Sequence, residues 1–472
     1  MIGGLIRDKG RYLLSGVSVI AVLALSAPAE AQDNAAIQAQ IQALQSQINS
    51  LQKQVGQAQA AAASAQKSSS DGLDLKVKWK GAPEFSSSDG KFKMKVRGRL
   101  MTDYNGINQD RRITGEDDVH AVELRRARLG VEGVVFYNWV YKFEIDFAGD
   151  TSEIKDAYIA YTDWGPDSWE TAEILAGNFK VPNSLEELTS SRFITFMERA
   201  AFTDAFFLDR QIGAGVNVGS EHWSLRGGWF GAESGTQETF FQDSTAAAIR
   251  GTLAPINNDT FVTHFGASYR HRNSGTLRET GFAELFEYRA RGADLHLADR
   301  FIDTPLIGES DELFVLEGAV VWKSLSVQGE YAQLKVDTPA SIANVNPTYD
   351  GYYIDAMWFI TGEMRNYEAD VGEFGRTKVK NPVFGGSGGW GAWQLAGRYD
   401  VLDLGDKAAA ITNFGVVTCT ECGEQKTWIV ALNWWLTDYT ALKFQYSESD
   451  IKGGANDGAD IRGFGMRAQV DW

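Results

Sequence analysis

The chain has 472 residues and a formal net charge of -17 at neutral pH, an acidity that excludes a nucleic-acid binder, because phosphate backbones select basic surfaces. Its 14 Trp, 16 Tyr and 26 Phe beside 49 Gly describe strand formers and turns rather than a helical enzyme. With two cysteines in all, Cys419 and Cys422, no disulfide framework carries the fold.

At the N-terminus, Lys9 and Arg11 precede an apolar run from Leu13 to Leu25, and Ala29-Glu30-Ala31 follows as a small-residue cleavage site. Residues 1–31 therefore read as a secretory signal peptide. The run is too short to span a bilayer, and no later stretch reaches the length of about 20 apolar residues that spanning requires. An exported chain of this kind can still cross a membrane as a closed barrel, in which every backbone group is paired.

In residues 32–57, Ile37, Ile41, Leu44, Ile48, Leu51 and Val55 follow spacings of four and three in alternation, the seam of a short periplasmic coiled-coil helix. Fewer than three heptads are marginal alone, so the segment is expected either to be held by an oligomer formed elsewhere or to fray, the first being favoured. Residues 58–90, opened by an Ala-, Gln- and Ser-rich stretch, read as a linker.

From residue 91 to 472 the period changes to two. Trp139, Tyr141, Phe143, Ile145 and Phe147 share one face, and Lys142, Glu144 and Asp146 the other. A large apolar face against a charged one fits a lipid-facing wall around a wet lumen. The last strand repeats the phase, with Phe464, Met466, Ala468, Val470 and Trp472 outward and Arg467, Gln469 and Asp471 inward.

Short polar joins near Tyr137-Asn138, Gly219-Ser220-Glu221, 256–259, Lys323-Ser324 and Thr437-Asp438 alternate with long ones near 105–118, 181–210, 234–242, 271–311, 338–350, 403–424 and 450–460. The alternation of short periplasmic turns with long outer loops gives an all-β, antiparallel transmembrane β-barrel of about sixteen strands. One long join, 362–389, falls on the periplasmic side and breaks the rule.

The chemistry of such a pore lies in inward charges. Lys91, Lys93, Lys95, Arg97 and Arg99 share one face of the first strand and are expected to line the lumen, since a cation facing lipid at the midplane costs roughly 2 to 4 kcal/mol. Fixed cations in a narrow lumen attract anions, and Arg can grip two oxygens with its planar fork. Arg126 and Arg128 fall in phase with Glu132 whereas Glu123 and Arg125 take the opposite phase, so a β-bulge is expected at Arg125-Arg126. In the third long join, Lys180, Arg192, Arg199 and Arg210 are candidate constriction cations, with Glu186, Glu187 and Glu198 as partners. Against anion selectivity stand the inward acids Glu123, Glu132, Glu144, Asp146, Asp156 and Glu330, which could turn the wall into salt bridges.

Several segments resemble the phosphate-selective porin family, porins O and P: Leu124-Arg125-Arg126-Ala127-Arg128-Leu129-Gly130-Val131-Glu132-Gly133, the run Ser184 to Arg199, Gln328-Gly329-Glu330-Tyr331, the run Gly397 to Leu404, and the closing Arg467 to Trp472. The resemblance covers most of residues 91–472 and implies a sixteen-stranded homotrimeric porin whose third loop, here 181–210, folds into the pore as a constriction. It makes Arg192 and Arg199 the first choices for pore residues, though either could clamp the loop to the wall.

The reading is an outer-membrane pore for passive diffusion of small anions, phosphate among them, with outer-membrane lipid around it and no cofactor. The alternatives are a general porin whose lumenal charges cancel, and a tether or adhesin in which the barrel anchors the coiled coil. No catalytic or metal site is expected. Gly385-Gly386-Ser387-Gly388-Gly389 fits G-x-S-x-G, yet a nucleophile elbow needs a strand before and a helix after. The five histidines lack ligand spacing. Cys419-Thr420-Glu421-Cys422 supplies too few thiolates for zinc and is expected to close a local disulfide in an exported loop.

Overall fold

The computed structural model describes residues 34–70, 75–79, 81–162, 164–231, 241–242, 244–277, 285–342, 345–385, 388–413 and 416–472. The signal peptide and the centre of the G-x-S-x-G run lie outside these residues. Two units are present, one ending at Asp74 and one from Leu75 to Trp472.

In the first unit a single helix, α1, runs Asn34–Ser70. It extends beyond the coiled-coil span of 32–57, into residues read from sequence as linker. The reason is propensity: Ala and Gln are strong helix formers, and the Ala-rich stretch after Gly56 continues the helix without any seam to mark it. The rest of that linker also carries structure, because Leu75–Trp79 and Pro83–Ser87 form a hairpin that pairs through Glu84–Ser86 with the start of the barrel.

The second unit is a closed antiparallel barrel. Its strands are β1 (Lys93–Asn108), β2 (Val119–Val135), β3 (Trp139–Asp146), β4 (Glu153–Thr162), β5 (Thr171–Lys180), β6 (Arg210–Ser220), β7 (Trp223–Phe230) and β8 (Thr245–Leu253). They continue as β9 (Phe261–Asn273), β10 (Ser310–Trp322), β11 (Leu325–Asp337), β12 (Thr348–Phe359), β13 (Ala392–Asp403), β14 (Glu424–Thr437), β15 (Thr440–Lys452) and β16 (Asp460–Asp471). Each pairs with its sequence neighbour, and β16 closes onto β1 with Arg467 opposite Asp103. Closure leaves no free edge in the sixteen-strand ring.

Alternation decides which residues face lipid. Leu129, Phe143, Ile159, Ile174, Ile212 and Val216 project outward and are exposed. Tryptophans gather at the rim of the short turns, where Trp139 packs on Tyr161 and Trp393 stacks on Trp434 with ring centroids 4.9 Å apart. Tyr352, Tyr399 and Trp428 form a smaller group toward the other rim. Two aromatic girdles separated by an aliphatic band are what a barrel at two membrane–water interfaces requires.

The interior departs from a polar lumen on one side. Behind β9–β16 the inward residues Leu313, Val315, Leu334, Tyr349 and Tyr353 join Phe202, Phe206, Tyr288, Leu295 and Phe301 from two inserted outer loops in one apolar core. Strand β10 thus buries Leu313 and Val315 while presenting Phe314 and Leu316 to lipid, a near-continuous apolar run that alternation reading would miss.

The third loop (181–209) and the described part of the fifth loop (285–309) fill that half of the barrel, while the long periplasmic join, described over 360–385 and 388–391, reaches β5–β8, where Asp370 accepts from Thr171 at 2.7 Å and Glu373 from Arg226 at 2.6 Å. The join turns up into the barrel. At its apex Gly372 takes φ +66°, and its carbonyl accepts from Arg250 Nη2 at 2.8 Å. The predicted disulfide is present in the outer loop between β13 and β14, linking Cys419 to Cys422.

Candidate functional site

The third loop decides where the pore runs. After β5, Lys180 leads into a short turn, Leu185–Leu188, whose Ser184 side chain accepts from the amide of Glu187. Glu330 on β11 accepts the amides of Leu185 and Glu186 at 3.1 and 2.7 Å. Farther along, Asn433 donates to Thr195 O, Lys443 to Ile194 O and Gln469 to Arg192 O. Glu186 also pairs with Arg398, and Asp400 accepts from Ala201 N at 2.6 Å. These wall partners belong to β11–β16, while on the opposite side Ser191 accepts from Arg99 Nη1 at 2.5 Å and Glu198 from Arg125 at 2.8 Å, so the loop spans the lumen. The open space lies beside these bonds, bounded by the loop and the inner face of β1–β7.

That space is a cavity of about 1120 Å³. Among the described residues that line it, fourteen are Lys or Arg and twelve Asp or Glu, a cationic excess inside a chain of net charge -17. Glu132, Glu144 and Asp471, which pair with lining cations from just behind them, bring the two signs close to balance. Arg97, Arg99, Arg125, Arg126, Arg128, Lys180, Arg192, Arg199 and Arg210, all named from sequence, line it.

Lys91, Lys93 and Lys95 do not line this cavity. Lys91 sits in the turn before β1, bonded to Asp89 at 3.1 Å, Lys93 is exposed at the strand start, and Lys95 lies opposite Glu84 of the hairpin. Periodicity assigns a residue to a face but not to a depth, and β1 overshoots the cavity at its lower end.

The bulge expected at Arg125-Arg126 is present. Met101 pairs with Arg126 and Thr102 with Leu124, leaving Arg125 as the extra residue, so both guanidinium groups turn inward. A second bulge does the same on β4, where Glu144 pairs with Asp156 and Ile145 with Ile154, delivering Lys155 beside Asp156. Nothing in the sequence marked Lys155, because a bulge hides its residue from period-two reading. Lys142 and Arg226 were legible as inward positions and were not singled out, while Arg291 and Arg376 enter from the fifth loop and the periplasmic join.

Most of these cations are paired. Arg128 bonds Asp146 at 2.7 Å and Glu144 at 3.1 Å, Arg210 bonds Asp156 at 2.8 Å, and Arg97 bonds Glu132 at 2.5 Å. Glu198 in the third loop gathers Arg125, with two bonds of 2.8 Å, and Arg467 at 2.8 Å, with Arg126 at 3.8 Å. Burial penalises the Glu198 carboxylate, but the surrounding guanidinium groups outweigh that and hold it well below the usual carboxylate range.

Arg199 and Arg192 differ in kind. Arg199 donates to the carbonyls of Glu186, Glu187 and Thr189 at 3.0 to 3.1 Å and pairs with Glu187, so it clamps the loop to itself. Arg192 lines the cavity with only one carboxylate within 4.0 Å among the described residues, Asp471 at 3.9 Å, which Arg376 holds more closely. Burial, with Arg97 beside it, draws the Arg192 pKa down to about 10, so it remains charged but weakly compensated. Arg126 is similar: its Nε has no partner, and its nearest carboxylate is that of Glu198. Of the two, Arg192 is the one weakly compensated at the cavity wall, since the unpartnered Arg126 Nε is itself buried.

A model of the phosphate-selective porin O and P family matches residues 94–472. An uncharacterized protein of Caulobacter vibrioides is 31% identical over 394 residues, covering 80% of this chain and 72% of that one. Porin O of Pseudomonas aeruginosa is 26% identical over 430 residues, covering 86% and 93%. Among solved structures, OprB of Pseudomonas putida superposes with a TM-score of 0.50 at 7% identity, over 81% of this chain and 95% of its own, a likeness of fold alone.

Proposed function

Because the chain belongs to the phosphate-selective porin O and P family, whose members form outer-membrane channels, we propose that this porin conducts small anions by passive diffusion, with preference for phosphate. The path is the crescent between β1–β7 and the third loop. The observation that carries the reading is the cation-rich lining of the lumen in an acidic chain, with Arg192 only weakly compensated along it. Low-dielectric walls focus the field of such charges, and Arg replaces part of an oxyanion's hydration through its paired N–H groups. No covalent step is involved, and the bacterial outer membrane is the site of action. Assembly as a homotrimer is part of the same proposal and rests on family likeness.

A second reading, a general porin with little preference, has its own support in the extensive pairing of lumenal cations with carboxylates. The test that separates the two is the reversal potential of single channels in a planar bilayer under a salt gradient, repeated with phosphate added against chloride. Anion selectivity with block by added phosphate upholds the first reading. Cation selectivity, or chloride current indifferent to phosphate, replaces it by the second.

A further inference from the structure

The helix α1 carries a seam that no other described residue of its unit covers. Ile41, Leu44, Ile48, Leu51 and Val55 are 48% to 59% exposed, on one stripe of the helix. In heptad terms Ile41, Ile48 and Val55 occupy a and Ile37, Leu44 and Leu51 occupy d, an apolar residue at every seam position from 37 to 55.

The positions beside the seam identify the occupant. Every e and g position from 38 to 54 is glutamine: Gln38, Gln40, Gln45, Gln47, Gln52 and Gln54. In coils that choose a different partner, e and g charges make the choice. Here they are neutral on both flanks, so identical helices meet without like-charge repulsion and each amide can bond its counterpart. The lone charge between 34 and 57, Lys53, stands at f, farthest from the seam. A membrane surface is a poor occupant for the same reason, since helices that lie on lipid carry a basic polar face.

We infer that the seam of α1 is covered by the same helix from other copies of this chain, as a parallel homotypic coiled coil. Short coils are marginal alone, and barrels in one membrane would hold the copies together at high effective concentration. The inference does not depend on what the pore conducts.

The experiment uses the full-length protein in the oxidising envelope, where Cys419 and Cys422 are already bonded to each other. Leu44→Cys places a thiol at d, facing its counterpart, and Ser46→Cys places one at f, facing away. Leu44→Cys is expected to give a covalent dimer on non-reducing gels and Ser46→Cys none above background, while both keep the folded-barrel mobility and conductance. A second pair guards the result: Leu51→Cys cross-links, and adding Leu44→Lys in the same chain abolishes it. Equal cross-linking at Leu44→Cys and Ser46→Cys, a cross-link to a different protein, or none at either d position in a folded barrel overturns the inference.

Discussion

Replacing Arg192 by Ala separates selectivity from architecture. Its side chain is 11% exposed, its one near carboxylate among the described residues is 3.9 Å away, and no closer ion pair to them is lost with it. An anion in contact with the guanidinium, about 4 Å between charges, gains about 1 kcal/mol at the dielectric of water and about 4 kcal/mol at an effective dielectric of about 20. The watery limit sets the minimum: 1 kcal/mol is about a five-fold change in occupancy. Arg192→Ala is therefore expected to lower the anion-to-cation permeability ratio by at least about five-fold. Arg199→Ala removes three carbonyl clamps instead, and is expected to raise conductance and current noise with a smaller change in selectivity. Reversal potentials measured under the same salt gradient compare the two. An Arg192→Ala channel with unchanged reversal potential, or an Arg199→Ala channel whose selectivity shifts as far, would refute the assignment of roles.

Other perturbations have definite outcomes. Arg398→Ala strands the buried carboxylates of Asp355 and Glu186 and should cost about 3 to 5 kcal/mol, seen as a lower temperature for loss of the folded-barrel band; an unchanged temperature contradicts it. Arg376→Ala frees the periplasmic join from Asp471 and from the Tyr439 ring, and single-channel conductance should rise. In the fifth loop, burial and then Glu287 push the Asp303 carboxyl up from 3.8 to about 6. Its neutral form is thus favoured in the folded loop, a contribution complete below pH 3.8 and lost as pH rises through about 6. Protease cleavage within 285–309 should be faster at about pH 7 than at about pH 5, and Asp303→Asn should flatten that difference.

The ring of sixteen strands was legible because lipid imposes one rule on every strand, apolar outward, and because turn length alternates between the two sides. The bulge at Arg125 was legible as a conflict of phase between Glu123 and Arg128. What the sequence did not reveal is that one half of the lumen is packed solid. Leu313 and Val315 look inward at Phe202 and Phe206 of chain inserted from elsewhere, and no local pattern announces a tertiary partner. For the same reason the pairing of Arg199 with backbone carbonyls, rather than with solvent in the pore, depended on where the third loop folds back. The far end of α1 was missed because an alanine-rich helix and an alanine-rich linker share one composition.

The bonds from the third loop to the last strands also bear on how the ring finds its seam. A slip of two residues between β16 and β1 would keep every side chain on its proper face, so inside–outside patterning cannot distinguish the native register from its neighbours. The loop can. Lys443, Arg467 and Gln469 each reach a particular carbonyl, those of Ile194, Met197 and Arg192, while Arg467 also grips Asp103 across the seam at 2.6 and 2.7 Å. These partners lie 249 to 364 residues apart in sequence, so each is a long-range constraint on the register of the closing strands. The third loop thus ties the last two strands from inside the barrel, where a slipped register would leave Lys443, Arg467 and Gln469 without these carbonyls.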